Sequence, residues 1–293
     1  MLVCPPKFLF KEIRNSFINV EHISLDQYRA PISEFPFSST FPNLKSLELQ
    51  LGWNGPTPIA FPSVKKLCID AWKSKKNEYK GLHFEANEIN ELLRLNPQLE
   101  ELELNNGISD TIFQDINLPE LKRFSPRMRY YPNIKNADRY HFENVIDFRF
   151  DIFHNGKITN IPFTFSKLER FECSCYANDG AIESYILDFI DENKYLKSII
   201  LTGVRGRIDS LLQRVSVLPN IEELSVEAWA RPVSSNFDLI SNLFSKNPSF
   251  KKFTLWGWQK YLENLISETD SAKLKNFKQE TEFVRYTTTL TWT

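Results

Sequence analysis

The sequence is short of cysteine, of methionine, of net charge and of long apolar runs. Each shortage excludes something. Four cysteines in 293 residues are too few for the disulfide framework that holds small secreted domains together. The balance of 36 Lys+Arg against 37 Asp+Glu argues against a dedicated nucleic-acid binder, which carries a basic footprint. No apolar stretch approaches the roughly 18 residues of a membrane span. The opening Met1-Leu-Val-Cys-Pro-Pro-Lys7 lacks the charged segment, apolar core and cleavage site of a signal peptide. An Asn-x-Ser/Thr acceptor is missing too, because Pro248 blocks the sequence Asn247-Pro248-Ser249. These absences favour a reducing compartment, so the expected location is cytoplasmic, with the nucleus as the alternative.

Catalytic motifs are also missing. There is no Gly-x-x-x-x-Gly-Lys-Ser/Thr, no His-Glu-x-x-His and no Gly-x-Ser-x-Gly. The four histidines, His22, His83, His141 and His154, are scattered. Cys173-x-Cys175 lacks the two further ligands a zinc site needs, and Cys173 reads as a small buried hydrophobe. Glu100-Glu101 and Glu222-Glu223 are adjacent on expected strands. Adjacent strand residues face opposite ways, which does not suit two carboxylates flanking one bond. The expectation is a protein that is not an enzyme and uses no metal or cofactor.

What the sequence has is a repeat. A turn pair, an apolar residue, two polar, an apolar, one variable and an apolar recur. Copies read Phe41-Pro-Asn-Leu44-Lys-Ser-Leu47-Glu-Leu49, Phe61-Pro-Ser-Val64-Lys-Lys-Leu67-Cys-Ile69 and Asn96-Pro-Gln-Leu99-Glu-Glu-Leu102-Glu-Leu104. The first apolar residues of the copies are Val20, Leu44, Val64, Leu99, Leu121, Val145, Leu168, Leu196, Ile221 and Phe250. Their steps are 24, 20, 35, 22, 24, 23, 28, 25 and 29 residues. Leucine-rich repeats run about 20–29 residues, so one step is too long. It contains Lys73-Ser-Lys-Lys-Asn-Glu-Tyr-Lys80, which reads as an inserted, solvated loop.

The alternation Leu-x-Leu predicts a strand with one buried face. No strand buries that face alone, and stacking the copies in parallel makes one continuous core. Between strands, Ile89/Leu92/Leu93, Ile182/Tyr185/Ile186/Phe189/Ile190, Ile208/Leu211/Leu212/Val215, Leu239/Ile240/Leu243 and Tyr261/Leu262/Leu265/Ile266 predict crossover helices. Asp179 is a candidate N-cap for the second. The expected fold is therefore α/β: a leucine-rich-repeat solenoid of about ten irregular repeats, a curved horseshoe with a parallel inner sheet and outer helices and loops. It spans residues 1–293 as one domain. The strand-forming tail Phe283-Val-Arg-Tyr-Thr-Thr-Thr-Leu-Thr-Trp-Thr293 is the last strand of the array or the opening of another repeat.

The phrases Leu92-Leu93-Arg-Leu-Asn96-Pro97-Gln-Leu99-Glu-Glu-Leu102-Glu-Leu104 and Leu218-Pro219-Asn220-Ile221-Glu-Glu-Leu224 resemble the repeats of F-box/leucine-rich-repeat proteins. The resemblance runs roughly from Val20 to Leu255. It implies a module that recognises substrates for a ubiquitin ligase. A Skp adaptor is an implied partner only if an F-box is present in a longer form. No F-box-like segment precedes the first repeat here. Lys7-Phe-Leu-Phe-Lys-Glu-Ile13 reads as the tail of a repeat helix, so the chain is expected either to be part of a longer protein or to lack an F-box. A second departure concerns the Asn or Cys that many such repeats place three residues after the last strand apolar. Those places hold Tyr28, Gly52, Trp72, Gly107, Phe153, Tyr176, Val204, Trp229 and Trp258, so aromatic packing is expected in place of an Asn ladder.

In such a solenoid a protein partner binds the concave face, which the outward strand positions line. Those positions are acidic early, carry four arginines in the middle and turn acidic again in the ninth copy. Arg and Trp are enriched among interface hot spots. The candidate binding residues are therefore Arg123, Arg127, Arg149, Arg170 and Trp256.

Overall fold

Each repeat opens on a tight turn that its own sequence dictates. Proline at the second place, as in Phe41-Pro42-Asn43-Leu44, pre-sets φ for the corner. The Leu44 N–H then donates back to the Phe41 carbonyl at 3.2 Å, Val64 to Phe61 at 2.9 Å and Leu99 to Asn96 at 3.3 Å. The chain next docks on the preceding repeat. The Lys65 and Lys66 amides both donate to the Lys45 carbonyl, at 2.8 and 3.0 Å. The same paired donation joins Glu100 and Glu101 to Lys65, Lys197 and Ser198 to Glu169, and Lys251 and Lys252 to Glu222. This fork sets the register before the strand begins.

The computed structural model describes residues 2–3, 17–25, 40–50, 59–70, 86–105, 113, 116–128, 140–152, 161–175, 182–204, 208–228, 236–257, 277–282 and 287–292. The fold is α/β, built on parallel strands with few helices among the described residues. All ten sequence copies place a strand. The chain divides into two compact units, Met1–Val145 with Pro162–Ser166, and Ile146–Ile161 with Lys167–Thr293.

The first unit holds parallel strands β1 (Leu2–Val3), β2 (His22–Leu25), β3 (Ser46–Gln50), β4 (Lys66–Asp70), β5 (Glu101–Asn105) and β6 (Arg123–Met128). It also holds helix α1 (Ala86–Arg94) and the small parallel pair β7 (Tyr140–Phe142) and β9 (Phe163–Phe165). The repeat pattern did not extend to β1. Leu47, Leu67, Leu102 and Phe124 fall in one register row, and all are buried. Each such side chain contributes about 1.5–3 kcal/mol by leaving water. The 35-residue step from Val64 to Leu99 leaves the register intact, Lys66 still opposite Glu101. Lengthening a surface loop adds only about 0.6 kcal/mol per doubling, far less than one buried leucine contributes. The loop itself, 73–80, lies outside the described residues.

The second unit holds parallel strands β8 (Asp147–Ile152), β10 (Arg170–Cys175), β11 (Ser198–Val204), β12 (Glu223–Ala228) and β13 (Lys252–Gly257). Helices α2 (Ile182–Glu192), α3 (Asp209–Val215) and α4 (Asn236–Lys246) form crossovers. Four of the five predicted helical stripes thus form helices, and the stripe at 261–266 lies outside the described residues, as does Asp179. Phe148, Phe171, Ile199, Leu224 and Phe253 make the core row, all buried. Phe171 stacks on Phe148 at 6.0 Å and meets Phe189 of α2 at 4.6 Å. Cys173 is buried in the next row, as expected of a small hydrophobe. The C-terminal tail does not open another parallel repeat. Strand β15 (Thr287–Trp292) pairs antiparallel with β13 and forms a hairpin with β14 (Phe277–Glu282).

The asparagines that matter stand at the turn, not after the strand. After α1, α2 and α4 the turn opens on a buried Asn, Asn96, Asn193 or Asn247, and after α3 it opens on buried Leu218. Asn96 Nδ2 donates to Leu92 O at 2.8 Å, and Asn193 Nδ2 to Phe189 O at 2.7 Å. Each satisfies a helix-end carbonyl that lacks an intrahelical partner. Asn96 also reaches the preceding repeat, donating to Ile59 O at 2.9 Å and accepting from the Phe61 amide at 2.7 Å. In other repeats the same place holds an apolar residue, as with buried Phe41, Phe61, Leu118 and Phe142. Of the post-strand places expected to carry aromatics in place of an Asn ladder, only Val204 is described, and it is buried.

Phe113 shows how much aromatic packing the first unit uses. Its φ of 78 is left-handed, which costs a non-glycine residue of order 1 kcal/mol or more. Its amide donates to Asn90 Oδ1 at 2.8 Å, and its ring packs edge-on against Phe124, Phe142 and Phe163 at 5.3–5.8 Å.

Candidate functional site

The outward positions of the parallel strands form the candidate site, because alternation sends the residues between core positions to the other face. In the first unit the register aligns Lys66, Glu101 and Arg123, then Glu48, Cys68 and Glu103, then Asp70, Asn105 and Arg127. In the second it aligns Asp147, Arg170 and Ser198, then Arg149, Glu172 and Ile200. Trp256 stands opposite Glu227.

All four arginines are on outward positions, and each meets a carboxylate on a neighbouring strand. Arg123 pairs with Glu101 at 3.1 Å and Arg127 with Glu103 at 3.7 Å. Arg149 and Arg170 come together over Glu172, at 3.2 and 3.7 Å, and Arg170 also approaches Asp147 at 3.9 Å. Arg123 and Arg127 belong to the first unit, and Arg149, Arg170 and Trp256 to the second. The arginines therefore form two internally paired sets. They are partly exposed, so these pairs contribute at most about 1 kcal/mol each. Trp256 is half-buried.

A second row of charge runs along the turn edge. Glu21 pairs with Lys45 at 2.6 Å, Glu100 with Lys122 at 2.9 Å and Lys65 at 3.4 Å, Glu169 with Lys197 at 2.9 Å, and Glu222 with Lys251 at 2.8 Å. A hydrogen bond from lysine, then its charge, holds Glu21, Glu100 and Glu222 below the usual carboxylate range. Lys122 is raised for the reciprocal reason. The adjacent residues Glu100 and Glu101 take different partners, as opposite facing requires.

Two further groups take their surroundings from the register. Cys68 lies between Glu48 and Glu103 in the register. Burial and then the nearby carboxylates push its thiol from 9.0 up to about 12, so it is not an activated nucleophile. His141, on β7, has Nδ1 3.0 Å from Thr164 Oγ1 and Nε2 3.1 Å from Ser166 Oγ. Both ring nitrogens tie the small β7–β9 pair together. Only the β7–β9 register, invisible to the repeat pattern, brings these three residues into contact. Among the described residues no group of three or more His, Cys, Asp or Glu is arranged to hold a metal ion, and no helix is long and apolar enough to cross a membrane.

Comparison with protein-family models gives no match to this chain, and comparison with curated proteins gives none either.

Proposed function

We propose that this chain is a leucine-rich-repeat interaction module that binds another protein through the outward side chains of its parallel strands, on the concave side of a horseshoe. The observation that carries the reading is the repeated division of labour. Strand after strand sends Leu, Ile, Val or Phe into a core and presents polar and charged side chains on the other face. In solenoids generally, the strand face turned away from the core is the extended surface a partner binds.

The resemblance to F-box/leucine-rich-repeat proteins makes that partner the substrate of a ubiquitin ligase, with a Skp adaptor engaged by an F-box in a longer form. Affinity capture with the intact gene product, read by mass spectrometry, tests this. Recovery of a Skp adaptor together with a second protein supports the ligase reading. Recovery of a partner without the adaptor leaves a free-standing scaffold. Neutral variants, Arg123→Gln with Arg127→Gln and Arg149→Gln with Arg170→Gln, map the face. Charge reversal would set new carboxylates beside Glu101, Glu103 and Glu172 and disturb the strands themselves. A partner retained by both double variants removes the arginines from the interface.

A further inference from the structure

We propose that the open face of the second unit receives an arginine side chain of the partner protein between Trp256 and Glu227. This rests on the reading of these strands as a protein-binding face, and adds the chemistry and place of the contact.

Trp256 and Glu227 are register partners on β13 and β12, and both are half-buried. Their strand neighbours Leu255 and Val226 are core residues. An indole and a carboxylate therefore stand side by side on the same outward face, about 4.8 Å apart at the backbone. The carboxylate is already oriented. The Gly203 amide donates to Glu227 Oε2 at 2.9 Å. The amide is aimed there because β11 departs from regular pairing with β12 between Leu201 and Val204, and Gly203 takes φ 70. Such irregularities re-aim groups next to functional surfaces.

What sets Glu227 apart is its neighbour: Glu223, on the same strand, also lacks an ion pair among the described residues but stands opposite Lys252, whereas Glu227 stands opposite an indole. Glu101, Glu103 and Glu172 on the open faces each meet an arginine. Glu227 has no ion-pair partner among the described residues. A carboxylate that accepts one amide keeps lone pairs for at least two more N–H groups. A guanidinium supplies them as a planar fork and stacks on an indole at the same time. The residues alongside, Ile200, Thr202, Ser225 and Thr254, carry no charge. A charge-poor centre inside a charged rim is how interface cores are built.

The test uses the full chain labelled with fluorotryptophan and read by fluorine NMR, with W256F identifying the Trp256 resonance. The probe is the peptide acetyl-Gly-Ile-Arg-Ile-Gly-amide. Its counterpart carries citrulline, which keeps the planar head and removes the charge. The expected result is a saturable shift of the Trp256 resonance with the arginine peptide. Binding falls about tenfold or more with citrulline, or in E227Q with unchanged near-UV circular dichroism. N43A, at an exposed turn of the first unit, leaves it unaltered. No shift, or equal binding of the two peptides, overturns the inference. A natural partner lost on R149Q/R170Q but retained by E227Q and W256F overturns it too, while leaving the interaction-module reading standing. If no partner is captured at all, that reading falls, and the peptide titration still decides the Trp256–Glu227 pair.

Discussion

Replacing Asn96 with alanine removes the most heavily used side chain in the repeat turn. Asn96 is 0 % exposed. Its loss strips partners from the Phe61 amide at 2.7 Å, the Ile59 carbonyl at 2.9 Å and the Leu92 carbonyl at 2.8 Å. A buried polar group left without a partner costs about 1–3 kcal/mol. Water entering the vacated space recovers part of this. The expected loss is about 3 kcal/mol, a large fraction of the roughly 5–15 kcal/mol that holds a domain folded. Asn96→Asp keeps the acceptor for Phe61 but turns an oxygen toward two carbonyls, and is expected to cost at least as much at neutral pH. Asn43 is the control: its Nδ2 makes an exposed bond to Ile18 O at 2.8 Å, and Asn43→Ala is expected to cost less than about 1 kcal/mol. Urea unfolding followed by circular dichroism reads the stability, and hydrogen exchange at the Phe61 amide reads the local effect. An N96A chain within about 0.5 kcal/mol of the parent, with the Phe61 amide still protected, would refute the reasoning.

Phe171→Ala removes a 0 % exposed ring packed on Phe148 and Phe189, and calorimetry or urea melts should show a loss of about 3–5 kcal/mol. The turn-edge pairs make stability pH-dependent at both ends. Glu100 is held below 4.5 by Lys122, so its contribution is present above about pH 4.5 and is lost as pH falls through the lower folded value. Lys122 is raised above 10.5 by Glu100, so its contribution is present below that pH and is lost as pH rises through the higher folded value. Both effects should shrink in 1 M salt, at a Debye length of about 3 Å, and E100Q should abolish the first and most of the second, leaving Lys122 only the charge of Glu120. Cys68, raised from 9.0 to about 12, should alkylate at pH 8 roughly a thousandfold more slowly than an unperturbed thiol, judged by its thiolate fraction. Peptide-resolved mass spectrometry measures this, and Glu103→Gln should speed the reaction.

The strands were legible because their determinant is local. Leu47 and Leu49, or Phe171 and Cys173, sit two apart wherever a strand has one buried face, and Pro42, Pro62 and Pro97 announce the turn before it. Helices α1 to α4 were legible from their apolar stripes. The role of the buried turn asparagines was not legible, because it is not local. Asn96 earns its burial from Ile59 and Phe61, more than thirty positions earlier. Strand β1 was missed because two residues show no period. The direction of β15 could not be read, because a strand-forming run pairs as well antiparallel as parallel, and the β14 hairpin decides between them.

The candidate site divides in the same way. Alternation alone assigned Arg123, Arg127, Arg149, Arg170 and Trp256 to the outward face, since facing follows from parity along a strand. What each meets there depends on register between strands 22 to 29 residues apart, and only the tertiary structure decided it. Register set Glu101, Glu103 and Glu172 against the arginines, turning an apparent basic stretch into paired charge. It set Glu227 beside Trp256 with no cation of its own among the described residues. Sequence by itself determined which side chains leave the core, because burial selects them one at a time. The fold determined which charges are already spent on each other, because that takes two strands.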